Sequence, residues 1–402
     1  MDRRRLFSAS FGHFAIDTLN ASVAMIMVAV SGRFALSIAD VGFGIMLYQI
    51  SAGLSQPLFG GLTDRLRGRW VGPLGLLWTI IFYSVAALAP DYRTFIVLLT
   101  IGGLGSGAFH AAGMLNATLS GGDKTGTATS IFFVSGQTGL AIGPIVVGFY
   151  LPRIGLNGMP LMAALMISAV AVMLVFMNHP LPVAPKRVAS AQTGPQRTLA
   201  ATLVLVTAFI LFILLRSGAS EGLRTLLPIY FTRDLGLGTE AVGLMLGFLA
   251  FSGALGTLAG GILADRYDRK VLMLGATLLS VPFSFFMIRV EGFWFFPLAF
   301  FAGALLSLPH SILLVLAQEL APGRRGLVGG LVLGFIFASG SIAAWMLGML
   351  ADQIGLFTTL TIGALLPLGA SAVALALPSG RKPEVLERSV TTPAQPTPAA
   401  AD

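Results

Sequence analysis

Apolar stretches of about twenty residues recur along the whole chain, each ended by a short polar break. They fall at about 7–31, 40–62, 71–89, 94–118, 127–150, 158–178, 200–231, 240–263, 271–288, 293–318, 327–350 and 356–377. At 1.5 Å of rise per residue, a helix of about twenty residues crosses a hydrocarbon layer about 30 Å thick. The runs are too long and too uniformly apolar for barrel strands, whose side chains alternate between lipid and lumen. The pattern predicts an all-α integral membrane protein with twelve transmembrane helices.

The longest internal break, 179–199, is rich in Pro, Ala, Lys, Arg and Gln, and reads as a cytoplasmic linker between two bundles. It divides the chain into an N-terminal six-helix bundle (1–178) and a C-terminal one (200–378). The Thr/Pro/Ala-rich stretch 379–402 reads as a disordered tail. The two bundles repeat one another. Gly60-Gly61-Leu62-Thr63-Asp64-Arg65 ends the second span and Gly260-Gly261-Ile262-Leu263-Ala264-Asp265-Arg266 ends the eighth, with the Asp-Arg pairs 201 residues apart. Val41-Gly42 recurs at Val242-Gly243, and His110 in span four recurs at His310 in span ten. Two such repeats are a known transporter plan, with the substrate between them near mid-membrane.

Composition sharpens this. The 402 residues are 55% hydrophobic and 10% charged, against roughly 25% charged in a soluble domain. The 49 glycines would weaken helices in water but let helices approach closely in lipid. There is no cysteine, so thiolate metal sites and disulfides are excluded. The apolar run after Arg3-Arg4-Arg5 lasts about 25 residues, which suits a first span better than a cleaved signal. With a cytoplasmic N-terminus, eighteen of the 25 Lys and Arg fall in inside segments, five in outside loops and two within span seven. The positive-inside rule therefore puts both termini in the cytoplasm, and topology explains the net charge of +8 without nucleic acid.

The paired Gly-x-x-x-Asp-Arg loops resemble the repeated loop signature of the major facilitator superfamily. The first copy carries one extra residue before Gly68-Arg69, and the second has Asp268 where the family has Gly. Span five carries Gly139-x-x-x-Gly143-Pro144-x-x-x-Gly148, similar to a motif associated with antiporters of that superfamily. Gly12-His13-Phe14-Ala15-Ile16-Asp17, Gln56-Pro57, Phe109-His110, Ser130-Ile131-Phe132 and Gly136-Gln137 are similar to the fosmidomycin-resistance-type subfamily, which often shows Phe-His-Pro where this chain has Ala111. The resemblance implies two pseudo-symmetric six-helix bundles, the major facilitator fold, with a proton-coupled drug antiporter as its function. It also implies that Gly60, Asp64, Arg65 and Arg69, with Gly261, Asp265, Arg266 and Arg269, form gating loops. In them the Asp meets a helix N-terminus and the basic loop when the inside is shut.

A charge at the bilayer centre costs roughly 2.5–3.5 kcal/mol on insertion scales, so intramembrane ionisable groups are the first candidates for chemistry. His13 and Asp17 are four residues apart on one helix face. With Glu221 they are the proton-coupling candidates, because a desolvated carboxylate and a histidine can exchange protons within a cycle. The cavity candidates are His110, Arg216, Gln49, Gln56, Asn116, Gln137, His310 and Arg224. Each has a bland alternative. The His–Asp pair could be a static hydrogen bond, Glu221–Arg224 a neutralised pair, and the amides ties between helices. Small-xxx-small spacing over Gly139–Gly148 packs helices anywhere in a membrane.

No Walker-type Gly-x-x-x-x-Gly-Lys-Ser/Thr or nucleophile elbow is present, and the four histidines are scattered without metal-ligand spacing. The expectation is a secondary active transporter, not an enzyme, without cofactor or metal. Its partners are a small molecule, protons and the bilayer, and a monomer is the default. The leading reading is export of a small organic or drug-like molecule, anions among the candidates, from the bacterial inner membrane. The alternative is proton-coupled import of an anionic metabolite or sugar.

Overall fold

The computed structural model describes residues 1–66, 69–177, 198–290, 292–320 and 325–377. The linker and tail expected over 179–199 and 379–402 lie outside them, except that Leu199 begins a helix. Every regular element among the described residues is helical: α1 Arg3–Phe34, α2 Ile38–Leu54, α3 Gln56–Arg65, α4 Val71–Ala86, α5 Tyr92–Ser120, α6 Thr125–Ile154 and α7 Gly158–Phe176 in the first half. The second half holds α8 Leu199–Ile229, α9 Thr239–Ala264, α10 Arg269–Met287, α11 Phe295–Ser307, α12 Pro309–Leu320, α13 Arg325–Ile354 and α14 Leu356–Ala374.

Ten stretches are long and apolar enough to cross a membrane. One of them, Thr127–Phe176, holds most of α6 and all of α7, and the sixteen-residue α4 is the shorter remaining apolar helix. The fold therefore has twelve spans, six in each half. Large apolar side chains face outward along them, as at Leu88, Leu165 and Val175. Lipid solvates such a surface.

Two spans expected as single helices are broken, and proline explains both. Span two is α2 and α3, parted at Ser55. Pro57 has no N–H to return to the Gly53 carbonyl, and its ring crowds that oxygen. Span ten is α11 and α12, parted at Leu308, where Pro309 withholds a donor from Leu305 in the same way. Helix starts are fixed by side chains. Ser37 and Asp40 form a reciprocal capping box on α2, and Asp91 accepts from the Thr94 N–H at 2.9 Å to start α5. Asp268, which stands where the resembled motif has glycine, caps α10 by accepting from the Val271 N–H at 3.1 Å.

The halves meet along two seams related by the internal repeat. On one, α2 lies on α13: a methyl group at Gly42 would sit 3.0 Å from Trp345 Cα. On the other, α6 lies on α9: a methyl at Gly243 would sit 3.1 Å from Gly148 Cα. Both are the glycine of the repeated Val-Gly, and only glycine permits backbones this close. Ion contacts complete both seams at the same end of the molecule. The Asp352 carboxylate accepts from the Ile38 and Ala39 N–H groups at 2.9 and 2.8 Å, capping α2 from the other half. Arg153 pairs with Glu240 at 2.6 Å. Toward the opposite end the approach loosens: a Cβ at Gly53 would lie 3.7 Å from the Gly334 carbonyl. A Cβ added at Gly60 or Gly61 would meet nothing within 4 Å, and Leu58 is 78% exposed. The molecule is shut at the end held by Asp352 and Glu240, and the approach is looser among the described residues near the Asp-Arg loops.

Candidate functional site

The i,i+4 spacing on α1 does bring His13 and Asp17 together, with Nε2 to Oδ2 at 3.2 Å. Both are almost fully buried. α6 covers them through Gly136, where a methyl group would lie 2.5 Å from His13 Nε2 and 2.7 Å from Asp17 Oδ2. The backbone of α6 also positions the imidazole, because His13 Nδ1 lies 2.7 Å from the Phe132 carbonyl. The ring stacks on Phe132 at 4.0 Å between centroids.

His110, expected to line the cavity, joins this pair instead. Its Nε2 lies 3.2 Å from Asp17 Oδ1, and its Nδ1 lies 2.8 Å from the Ser106 carbonyl of its own helix. Asp17 thus sits between two imidazoles from spans one and four. The His13 side chain is 6% exposed and that of His110 24%. Two further partners were missed in the sequence. Asn20 donates from Nδ2 to Asp17 Oδ1 at 3.0 Å and to Ser106 Oγ at 3.1 Å. Tyr48 donates its hydroxyl proton to Asn20 Oδ1 at 2.5 Å. Asn20 follows Asp17 by three residues, so the helical face predicted from His13 and Asp17 already contained it. Tyr48 carried no such signal.

His13, Asp17 and His110 are also the group among the described residues whose composition suits a metal, with one ligand atom from each within 4.8 Å of the others. Yet each Nε2–Oδ pair already stands at hydrogen-bonding distance, and a proton is enough to close it.

The second half carries a different set. Arg216 of α8 is buried and donates from Nε to the Leu306 carbonyl at 2.6 Å. That carbonyl belongs to the last turn of α11, where helical donors run out before Pro309. Arg224 and Glu221 approach to 3.7 Å, and Glu221 lies against Gly340 of α13. Glu221 is therefore placed beside Arg224 in the second half. Arg224 borders a small pocket with Ser220, Gly303 and Ser307. His310 is half-buried just after the α11–α12 break.

The remaining candidates scatter. Gln49, Gln56 and Gln137 are half-buried, whereas Asn116 is fully buried and donates to the Ala112 carbonyl of its own helix at 2.8 Å. Gly139 and Gly143 pack on α1, where added methyls would lie 2.9 Å from the Thr18 nitrogen and 3.1 Å from Ala21 Cβ. Pro144 and Gly148 instead face Gly243 of the other half. In the gating loops, Arg65, Asp265 and Arg266 are exposed, Arg69 stacks over Trp70 at 5.6 Å, and Arg269 opens α10. Gly261 approaches Ser311. The Asp64 side chain lies outside the described set.

Twelve spans in two six-span halves, with a polar cluster buried inside one of them, define a membrane transporter built from a repeat. The Major Facilitator Superfamily model matches residues 7–223 and 208–400, and the chain belongs to that superfamily. Its members are transporters, not enzymes. The chain is 27% identical over 370 residues to the Fosmidomycin resistance protein of Escherichia coli strain K12, covering 90% of each. It is 28% identical to the uncharacterized MFS-type transporter YfnC of Bacillus subtilis strain 168, over 92% of this chain and 91% of that one. It is 26% identical to the multidrug resistance protein MdtG of Enterobacter lignolyticus, over 74% and 73%. Among solved structures, a bacterial homolog of the lysosomal transporter Spinster in an inward-facing conformation superposes with TM-score 0.74 at 13% identity, covering 94% of this chain and 97% of that one. The nucleoside transporter NupG superposes with TM-score 0.75 at 16% identity, covering 92% and 99%. These two likenesses concern the fold.

Proposed function

We propose that this chain is a proton-coupled antiporter that exports a small organic molecule across the bacterial inner membrane, with both termini cytoplasmic and a monomer as the working unit. The observation that carries the reading is Asp17 held between His13 and His110 in a buried hydrogen-bond network. A buried carboxylate bonded to two imidazoles is a group whose proton affinity changes when water reaches it. Export is favoured by relatives named for fosmidomycin resistance and multidrug resistance. With cytoplasmic termini, the looser end faces inward, where an exporter loads. The second half supplies the attraction for an anion: Arg216 and Arg224 stand on α8 with Glu221 as the acid between them in sequence.

The test uses everted membrane vesicles, acidified inside, with a pH-sensitive dye and fosmidomycin as the probe. Wild type should release protons on addition of the compound, and Asp17→Asn should not. Release that persists in Asp17→Asn would remove Asp17 from coupling. Import of an anionic metabolite is the second reading, favoured by one observation: two arginines, Arg216 and Arg224, stand on α8 of the half opposite the His–Asp cluster, where they would attract an anion. Uptake of labelled organic anions driven by an inward proton gradient would move that reading to first place.

A further inference from the structure

Each imidazole beside Asp17 has one nitrogen whose role is fixed by its partner. A backbone carbonyl only accepts, so Nδ1 of His13 must carry a proton toward Phe132, and Nδ1 of His110 must carry one toward Ser106. In a neutral ring, Nε2 is then a bare lone pair. Both Nε2 atoms face oxygens of one carboxylate, at 3.2 Å each. A carboxylate oxygen also offers only lone pairs. Without an added proton, both contacts set acceptor against acceptor. One added proton satisfies one contact, and two satisfy both.

We infer that the Asp17–His13–His110 cluster holds two protons at once, one in each Nε2–Oδ contact, and exchanges both in each transport cycle, so that two protons move for each substrate. The inference rests on the proton-coupled reading above and adds its stoichiometry. Among the described residues, no other donor lies between Nε2 and the carboxylate in either contact. From α1, Asn20 donates to Oδ1, and from α2, Tyr48 donates to Asn20 instead of Asp17. From α5 come His110 and Ser106, whose hydroxyl accepts from Asn20 and lies 3.4 Å from His110 Nδ1, farther than the carbonyl at 2.8 Å that fixes that nitrogen as a donor. From α6 come Gly136 and the Phe132 carbonyl. The charged groups of the second half, Arg216, Glu221 and Arg224, make their own contacts with Leu306 and with each other. It does not matter whether the protons sit on nitrogen or oxygen, because the count is the same.

Geometry also orders their departure. His110 is the more exposed ring, and His13 is clamped between Phe132 and Gly136. Loss of both protons turns two hydrogen bonds into two repulsions, and the ring free to swing away is His110.

The test counts protons directly. Purified full-length protein in lipid nanodiscs is titrated without buffer between about pH 4.5 and 9, a range that spans ordinary histidine. Against a His13→Gln/His110→Gln double variant, whose amides donate to Asp17 without titrating, wild type should take up two more protons. Against His110→Gln it should take up one more. Nitrogen-15 spectra of histidine-labelled wild type provide the count without any variant: both rings should pass from the Nδ1-protonated neutral form to the doubly protonated or proton-sharing form. In vesicles, the ratio of proton to fosmidomycin flux should fall by half in His110→Gln. A wild type that takes up one proton or none, or a ring neutral throughout, overturns the inference. Two protons counted without fosmidomycin-linked flux would uphold proton loading but overturn both the two-for-one exchange and the export reading.

Discussion

Spans one and seven hold equivalent places in the two halves, yet their polar residues differ in kind. Span one presents an acid between two imidazoles, His13 from its own helix and His110 from span four. Span seven presents two guanidinium groups and one glutamate, with His310 on the span equivalent to that of His110. A duplicated scaffold has kept its seams alike and let its interiors diverge. Gly42 and Gly243 still serve the same close approach. The repeat is thus held by packing, and chemistry is free to specialise where packing does not constrain it.

The division can be broken most severely at Asp17. Asp17→Asn should lower coupled flux about 100-fold, near 2.7 kcal/mol at 1.36 kcal/mol per decade, while dye-free binding of the substrate persists. Equal loss of binding and coupling would erase the distinction between the halves. Next comes Arg216→Gln, which removes a charge and a charge-assisted bond to Leu306. It should raise the substrate concentration needed for half-maximal flux about 10- to 150-fold, as loss of a bond worth ~1.5–3 kcal/mol predicts, with proton uptake unchanged. A changed proton count would mean that the halves share one site. Asp352→Ala removes the cap on α2. Thiol labelling of a cysteine placed at the shut end should rise about 5-fold, as loss of about 1 kcal/mol of capping predicts. Arg153→Ala removes an exposed pair, and the same labelling should change less than about 2-fold.

How much of this was legible in the chain depends on distance along it. Spans and repeat could be read because hydropathy and a 201-residue offset are linear signals. His13 with Asp17 could be read because a helix puts residues four apart on one face. His110 could be found as polar but not as a partner of Asp17, since 93 positions separate them and only the packing of spans one and four joins them. Asp352 was invisible for the same reason: its partners are backbone N–H groups of another helix, which no side-chain pattern announces. The break at Leu308 shows the opposite case. There the signal is linear: Pro309 stands inside an apolar run, and a proline there withholds the donor that would continue the helix.

The two glycine seams have an electrical consequence. Where backbones touch, there is no room for water or ions, so the voltage across the membrane falls over that packed layer. On the proton-coupled reading, a proton held at Asp17 feels the potential of whichever compartment reaches it. Each elementary charge carried across the full drop exchanges about 2.3 kcal/mol per 100 mV. Closing one end and opening the other transfers that energy while the proton itself scarcely travels. The carrier moves its insulation instead of its cargo.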